Sequence, residues 1–247
     1  MYLTAGQTDV GRFRSQNQDV FASEPIGGLG LVAVVCDGMG GAKAGDVASA
    51  RTRDVILGTL RDQSLRDGKT SIGGLLRTAL ERANELVYTM AQQDEDMRGM
   101  GTTAVIAVIR DGSACIANVG DSRAYWIGSG IRQITRDHSV VQLLVEHGQL
   151  TPEEALVHPK RHIITRAIGA EPTVEAELFD LPLEGGALLL CTDGLSGVVP
   201  PEAIASVVRE DPVRAPGELI RMALEMGSTD NVTALVVYEE IKEAANG

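Results

Sequence analysis

The chain moves between short apolar runs of strand length and longer stretches in which apolar residues recur every three or four positions. Residues 31–36 are apolar throughout, the pattern of a strand covered on both faces. Looser strand character precedes it at 3–10, and Val20-Phe21-Ala22 follows a polar turn. Helical spacing runs over 45–60. It is stronger through Ile72, Leu75, Leu76, Ala79, Leu80, Ala83, Leu86, Val87 and Met90. Strands are expected at 102–109, 114–119 and 124–127, with Asp111-Gly112 supplying a hairpin turn between the first two. A short helix is expected at 140–147. Thr151-Pro152-Glu153-Glu154 then offers an N-cap, a proline at the first helical position and a capping-box glutamate. Strands return at 174–181, 187–191 and 231–238, and helices begin near Pro201 and Val213. Strands arrive in runs and helices in pairs, which predicts α+β layers: antiparallel sheet covered by helix pairs. No linker or low-complexity tract interrupts this order, so one domain over 1–247 is expected.

Composition narrows the function. With 22 basic and 34 acidic residues the formal charge is −12, which disfavours nucleic acid as a partner. Aromatics make up 3% of the chain, so aliphatic side chains must fill the core. No apolar run approaches the ~20 residues that span a bilayer. The opening Met-Tyr-Leu-Thr-Ala-Gly has no basic segment leading into an apolar one, so a cytoplasmic protein without a membrane partner is expected. Cys36, Cys115 and Cys191 are odd in number and match no zinc spacing, and they are read as reduced core residues.

Two of the apolar runs end alike, one on Asp37-Gly38 and the other on Thr192-Asp193-Gly194. A carboxylate inside a strand is costly, whereas one at its end, followed by glycine, can face a shared cleft. Asp121 in Val-Gly-Asp-Ser-Arg and Asp230 in Thr-Asp-Asn-Val-Thr add two more. Converging carboxylates without histidine call for hard divalent cations bound through oxygen. Arg14 lies in a basic segment ending in Asn17-Gln18-Asp19, and a guanidinium beside such a cluster can grip phosphate in a paired geometry. Each residue alone has a plainer account. Asp-Gly is a common turn, Asp230 could cap one, Asp121 could pair with Arg123, and Arg14 could form a surface ion pair.

Taken in order, the motifs form a set. They are Gly11-x-x-Arg14-x-x-Asn17-Gln18-Asp19, Asp37-Gly38-Met39-Gly40-Gly41, Gly101-Thr102-Thr103, Val119-Gly120-Asp121-Ser122-Arg123, Asp137-His138-Ser139, Cys191-Thr192-Asp193-Gly194-Leu195 and Asp230-Asn231-Val232-Thr233. This set resembles the metal-dependent type 2C serine/threonine protein phosphatases, the PPM family, in their compact bacterial form. The resemblance covers residues 4–238.

It implies a four-layer αββα sandwich, two antiparallel sheets flanked by helix pairs. It implies two Mn2+ or Mg2+ ions bridged by Asp37, with Asp193 and Asp230 on one and the Gly38 carbonyl on the other. Asp19 would be an outer-shell acceptor for metal-bound water, and Asp121 with Asp193 would complete a third site. Arg14 would hold the substrate phosphate, making Arg14 and Asp37 the catalytic pair. The implied reaction is hydrolysis of phosphoserine and phosphothreonine in proteins by a water bridging two ions. The implied partners are phosphorylated proteins, including a Ser/Thr kinase that the enzyme opposes, and a monomer is expected.

Residues 148–169, with His158-Pro159-Lys160-Arg161-His162, resemble the family's flap. They either contact substrate through Lys160, Arg161 or His162 or form a solvated helix-loop-helix. His138 is expected to support the fold and His147 to face solvent. The chain departs from the family where many relatives have a histidine, here Ala42, and where others have one directly after Asp-Gly, here Met39. Leaving-group protonation then falls to metal-bound water or another side chain. A phosphopeptide-binding module without catalysis would be expected to have lost a ligand, and none is lost. An enzyme of small phosphoesters would prefer a nucleotide to a phosphopeptide.

Overall fold

The apolar runs pair as antiparallel strands in two sheets. In the computed structural model, which describes residues 1–40, 44–64 and 71–240, the strands are β1 (Tyr2–Asp9), β2 (Asp19–Ile26), β3 (Gly30–Met39), β4 (Gly101–Thr102), β5 (Ala104–Arg110), β6 (Ser113–Val119), β7 (Arg123–Ile127), β8 (Ile131–Gln133), β9 (Glu177–Pro182), β10 (Ala187–Cys191) and β11 (Val232–Glu239). The helices are α1 (Gly45–Ser64), α2 (Ile72–Gln93), α3 (Val140–Glu146), α4 (Pro152–Val157), α5 (Asp193–Ser196), α6 (Pro201–Glu210) and α7 (Ala215–Glu225). One sheet has the order β1-β11-β10-β7-β8; the other runs β2-β3-β5-β6-β9, with β4 against β3.

Period-two geometry explains why β3 reads as continuously apolar. Ala33 and Val35 face the opposite sheet, where they join Leu188, Leu190, Leu235 and Val237. Val32, Val34 and Cys36 face outward and pack with Leu76 and Leu80 of α2 and Ile56 and Leu60 of α1. On the far side Leu189 and Val236 meet Ile204 of α6 and Leu219 of α7. Helix pair, sheet, sheet and helix pair therefore stack as four layers, as the resemblance implies.

Local expectations hold where a side chain dictates the backbone. Asp111 and Gly112 both take left-handed φ, 50° and 78°, the conformation a two-residue hairpin needs. At α4 the Thr151 hydroxyl caps the Glu154 amide at 3.2 Å, and the Glu154 carboxylate returns to the Thr151 amide at 2.8 Å. Other boundaries move. The strand expected from 102 begins as β5 only at Ala104, because the Thr103 amide turns aside to donate to the Asp37 carbonyl at 2.8 Å. The strand expected from 174 begins at Glu177, and the short β8 and α5 were not foreseen. Cys36 and Cys191 are buried as expected, but Cys115 is only half-buried. Burial, helped by Asp180, still pushes its thiol up to about 12. No helix among the described residues is long and apolar enough to cross a membrane.

Candidate active site

Register places Asp19 of β2 directly opposite Asp37 of β3. Side chains in such a pair share a face about 5 Å apart, and like charges there repel. Asp193 opens α5 immediately after β10, Asp230 precedes β11, and Asp121 lies between β6 and β7. Asp37, Asp121, Asp193 and Asp230 all line one cavity of about 510 Å³, together with Gly38, Met39, Arg14 and His162. Asp19 lies behind this lining, only 4% exposed.

Two glycines make the convergence possible. A Cβ on Gly38 would stand 2.1 Å from the Gly45 carbonyl oxygen and 2.8 Å from that of Gln18, so no side chain fits where β3 meets the start of α1. Gly11 has a φ of +79°, and a Cβ there would stand 2.4 Å from the Asp230 carbonyl oxygen. That contact brings the Arg14 turn against the strand end carrying Asp230.

The carboxylates are charged at a cost. Burial pushes Asp19 up to about 7, with Asp193 and Asp230 adding to the rise and two threonine hydroxyls opposing it. Burial and the neighbouring Asp19, Asp193 and Asp121 hold Asp37 well above the ordinary range. Asp121 is raised to about 7 by burial and then by Asp193 and Asp137. The alternative pairing of Asp121 with Arg123 does not form. Arg123 is committed to Asp137 through Nε at 2.9 Å and Nη2 at 2.7 Å, and its Nη1 donates to the Tyr125 hydroxyl.

Positive charge around the cavity is thin and exposed. Arg14 donates from Nη2 to Asp230 Oδ2 at 2.8 Å, so the surface ion pair considered from sequence does exist, and its partner is a site residue. Asp230 Oδ1 also caps its own turn by accepting from the Asn231 amide. His162 Nδ1 stands 4.0 Å from Asp193 Oδ2, an ionic contact too long for a hydrogen bond, and the nearby carboxylate raises its pKa. Of the three residues singled out in 148–169, His162 lines the cavity, while Lys160 and Arg161 are exposed outside its lining. His138 is buried and accepts from the Gly120 amide at 3.0 Å, a structural role; His147 is exposed. Met39 lines the cavity, and Gly41 and Ala42 lie outside the described residues.

Sequence reasoning passed over the threonines. Thr103 Oγ1 accepts from the Asp37 amide at 3.0 Å. The Thr192 and Thr233 hydroxyls both donate to Asp19 Oδ2, at 2.9 and 2.7 Å. All three fall inside the quoted motifs, so their positions were visible but their partners were not.

The donor set fits hard cations. Four carboxylates and two basic side chains line the cavity. The buried Asp19 Oδ1 and Asp193 Oδ1 have no hydrogen-bond partner among the described residues, a state that a cation or its waters would relieve. No three Asp, Glu, His or Cys side chains among the described residues are arranged to hold an ion unaided. Backbone oxygen and water would complete the coordination of an ion held here.

The family profile described as protein phosphatase 2C matches residues 12–232. The chain is 34% identical over 247 residues to the serine/threonine phosphatase stp of Listeria monocytogenes, covering 96% of each chain. It superposes on serine/threonine phosphatase Stp1 from Staphylococcus aureus with a TM-score of 0.88, at 37% identity, covering 97% of this chain and 96% of that one. The catalytic domain of the phosphatase PstP, solved in complex with two manganese ions, gives a TM-score of 0.83 at 30% identity, covering 96% of this chain and 97% of that one.

Proposed function

The chain belongs to the protein phosphatase 2C family, and on that premise we propose that it hydrolyses phosphoserine and phosphothreonine in proteins with the help of Mn2+ or Mg2+. The observation that carries this reading is the meeting of Asp37, Asp121, Asp193, Asp230 and Arg14, from five separate segments, around one cavity with unpartnered carboxylate oxygens at its base. Asp37, the Gly38 carbonyl, Asp193 and Asp230 would hold two ions. Asp121 with Asp193 would hold a third, and Asp19 would accept from their waters. Such ions, when bound, supply a nucleophilic water at neutral pH and Lewis-acid charge opposite the phosphoryl oxygens.

The chain's own residues do the rest. Arg14 is 54% exposed at its side chain and its pair with Asp230 is solvated, so releasing it costs only about 0.2–1 kcal/mol. Its planar fork can then turn to phosphate oxygens. Asp19, Asp37 and Asp121, whose protonated forms burial favours, would serve as charged acceptors where cations are held. His162, exposed and lining the cavity, would offer a proton to a departing seryl or threonyl oxygen. The family relationship supports a role opposing a Ser/Thr protein kinase.

The test is phosphate release from a phosphothreonine peptide, with and without Mn2+, in wild type and Asp193→Ala. Release is expected to need Mn2+ and to vanish in the variant. Undiminished release in EDTA would refute the metal reading, and a nucleotide hydrolysed faster than the peptide would refute the protein substrate. A folded, Mn2+-supplied protein that binds the peptide without turnover would point to a phosphopeptide-binding module instead.

A further inference from the structure

Two hydroxyls in the hydrogen-bond cluster behind the cavity donate to one oxygen, Asp19 Oδ2. The Asp19 amide donates to Asn17 Oδ1 at 3.1 Å, which fixes the orientation of that side-chain amide. Asn17 Nδ2 then donates to Thr8 Oγ1 at 2.8 Å. Thr8 Oγ1 and Thr233 Oγ1 lie 2.7 Å apart on residues paired in register between β1 and β11. The Thr233 proton is committed to Asp19 Oδ2, so Thr8 is the donor between them. Thr192 Oγ1 accepts from the Thr233 amide at 3.0 Å and gives its own proton to the same Asp19 oxygen. Oδ2 is thereby saturated by two hydroxyls, while Oδ1, equally buried, has no partner among the described residues.

A carboxylate on a rotatable bond would present either oxygen. Two donors on one oxygen remove that freedom, because turning the group would strand both hydroxyls in a buried setting. Thr233 lies on β11 of the first sheet and Thr192 directly follows β10 of that sheet, whereas Asp19 lies on β2 of the second, so the packing of the two sheets sets the orientation. We propose that Thr233 and Thr192 are positioning residues that hold Asp19 with Oδ1 available to the cation site, and that divalent-cation affinity depends on their hydroxyls. The inference rests on the cation-dependent reading above. Partners of this kind, one step removed from a metal, change affinity by roughly 10–100-fold when lost.

Calorimetric titration of the full chain with Mn2+ tests it, independently of turnover. Thr233→Val and Thr192→Val keep the side-chain shape and remove the donor, and each is expected to weaken Mn2+ binding at least tenfold. Thr233→Ser keeps the donor and is expected to bind within about threefold of wild type. Wild-type uptake with equal uptake by both folded valine variants overturns this inference alone. A wild type that takes up no Mn2+ overturns the cation reading, and this inference with it. Should a valine disturb folding, Thr233→Ala against Thr233→Ser repeats the comparison, and equal affinity in those two overturns the inference.

Discussion

The base of the cavity and its rim are built on opposite terms. At the base, Asp19 and Asp37 sit on paired strands, Asp19 buried and Asp37 half-buried, with their backbone amides hydrogen-bonded to Asn17 and Thr103. At the rim, Arg14 and His162 are 54% and 64% exposed, and each has one ionic contact with a carboxylate of the site. Strand pairing holds these groups together, and burial with mutual repulsion raises their pKa values. The rim holds its charges loosely, so they can exchange a protein carboxylate for a substrate phosphate. On the proposed reading, cation affinity would belong to the base and substrate affinity to the exposed rim, and the two should respond separately to mutation.

The strongest way to break that division is Asp37→Asn. It should lower kcat/KM on the order of 10³-fold or more, since several kcal/mol of charge stabilisation depend on the ions, at 1.36 kcal/mol per tenfold. It should also raise the unfolding midpoint of the metal-free protein near neutral pH, by removing a carboxyl group whose ionised form burial and Asp19 disfavour. Activity within tenfold of wild type would mean the base does not hold the catalytic cations.

Arg14→Ala should do less, and differently. KM for a phosphothreonine peptide should rise roughly 10–100-fold, the worth of a lost charged hydrogen bond. Mn2+ affinity should stay level or improve, because Asp230 Oδ2 loses a competing partner. Weaker Mn2+ binding in this variant would merge rim with base.

A third comparison uses pH. Asp19 moves from an ordinary 3.8 to about 7 on folding, so between those values the folded chain binds the extra proton. Its contribution is therefore present in acid and is lost as pH rises from about 4 to about 7. In EDTA, wild type should lose stability across that window relative to Asp19→Asn, and saturating Mn2+ should remove the difference. Parallel curves in EDTA would count against a strained base. The smallest effect is expected of His162→Ala, whose stability should remain within about 0.5 kcal/mol of wild type for an exposed side chain. A larger loss in denaturant titration would place His162 with the base.

Much of this was legible in the sequence wherever one residue dictates local geometry. Strands 31–36 and 187–191 announce themselves because both faces are buried, and Asp111-Gly112 and Thr151 to Glu154 carry their turn and cap in their own side chains. The ordered motifs also supplied the aspartates and Arg14. Pairing across the chain was not legible: β1 and β11 lie more than 220 residues apart, and only tertiary packing brings them together. For the same reason the threonines behind Asp19 went unassigned. Arg14's resting partner was hidden too, because a side chain's alternatives are settled by distance, not by residue type.

That pairing of β1 with β11 has a practical corollary for anyone rebuilding the molecule. Tyr2 lies opposite Glu239 at one end of the ladder, and Asp9 opposite Val232 at the other. The catalytic segments leave from the second end, roughly 23 Å away at the usual rise per strand residue. Tyr2 and Glu239 therefore sit side by side at the end of the ladder away from the cleft. By the same geometry, a short linker from Glu239 to Tyr2, with the chain reopened in the 111–112 turn, should give a circular permutant that retains phosphatase activity.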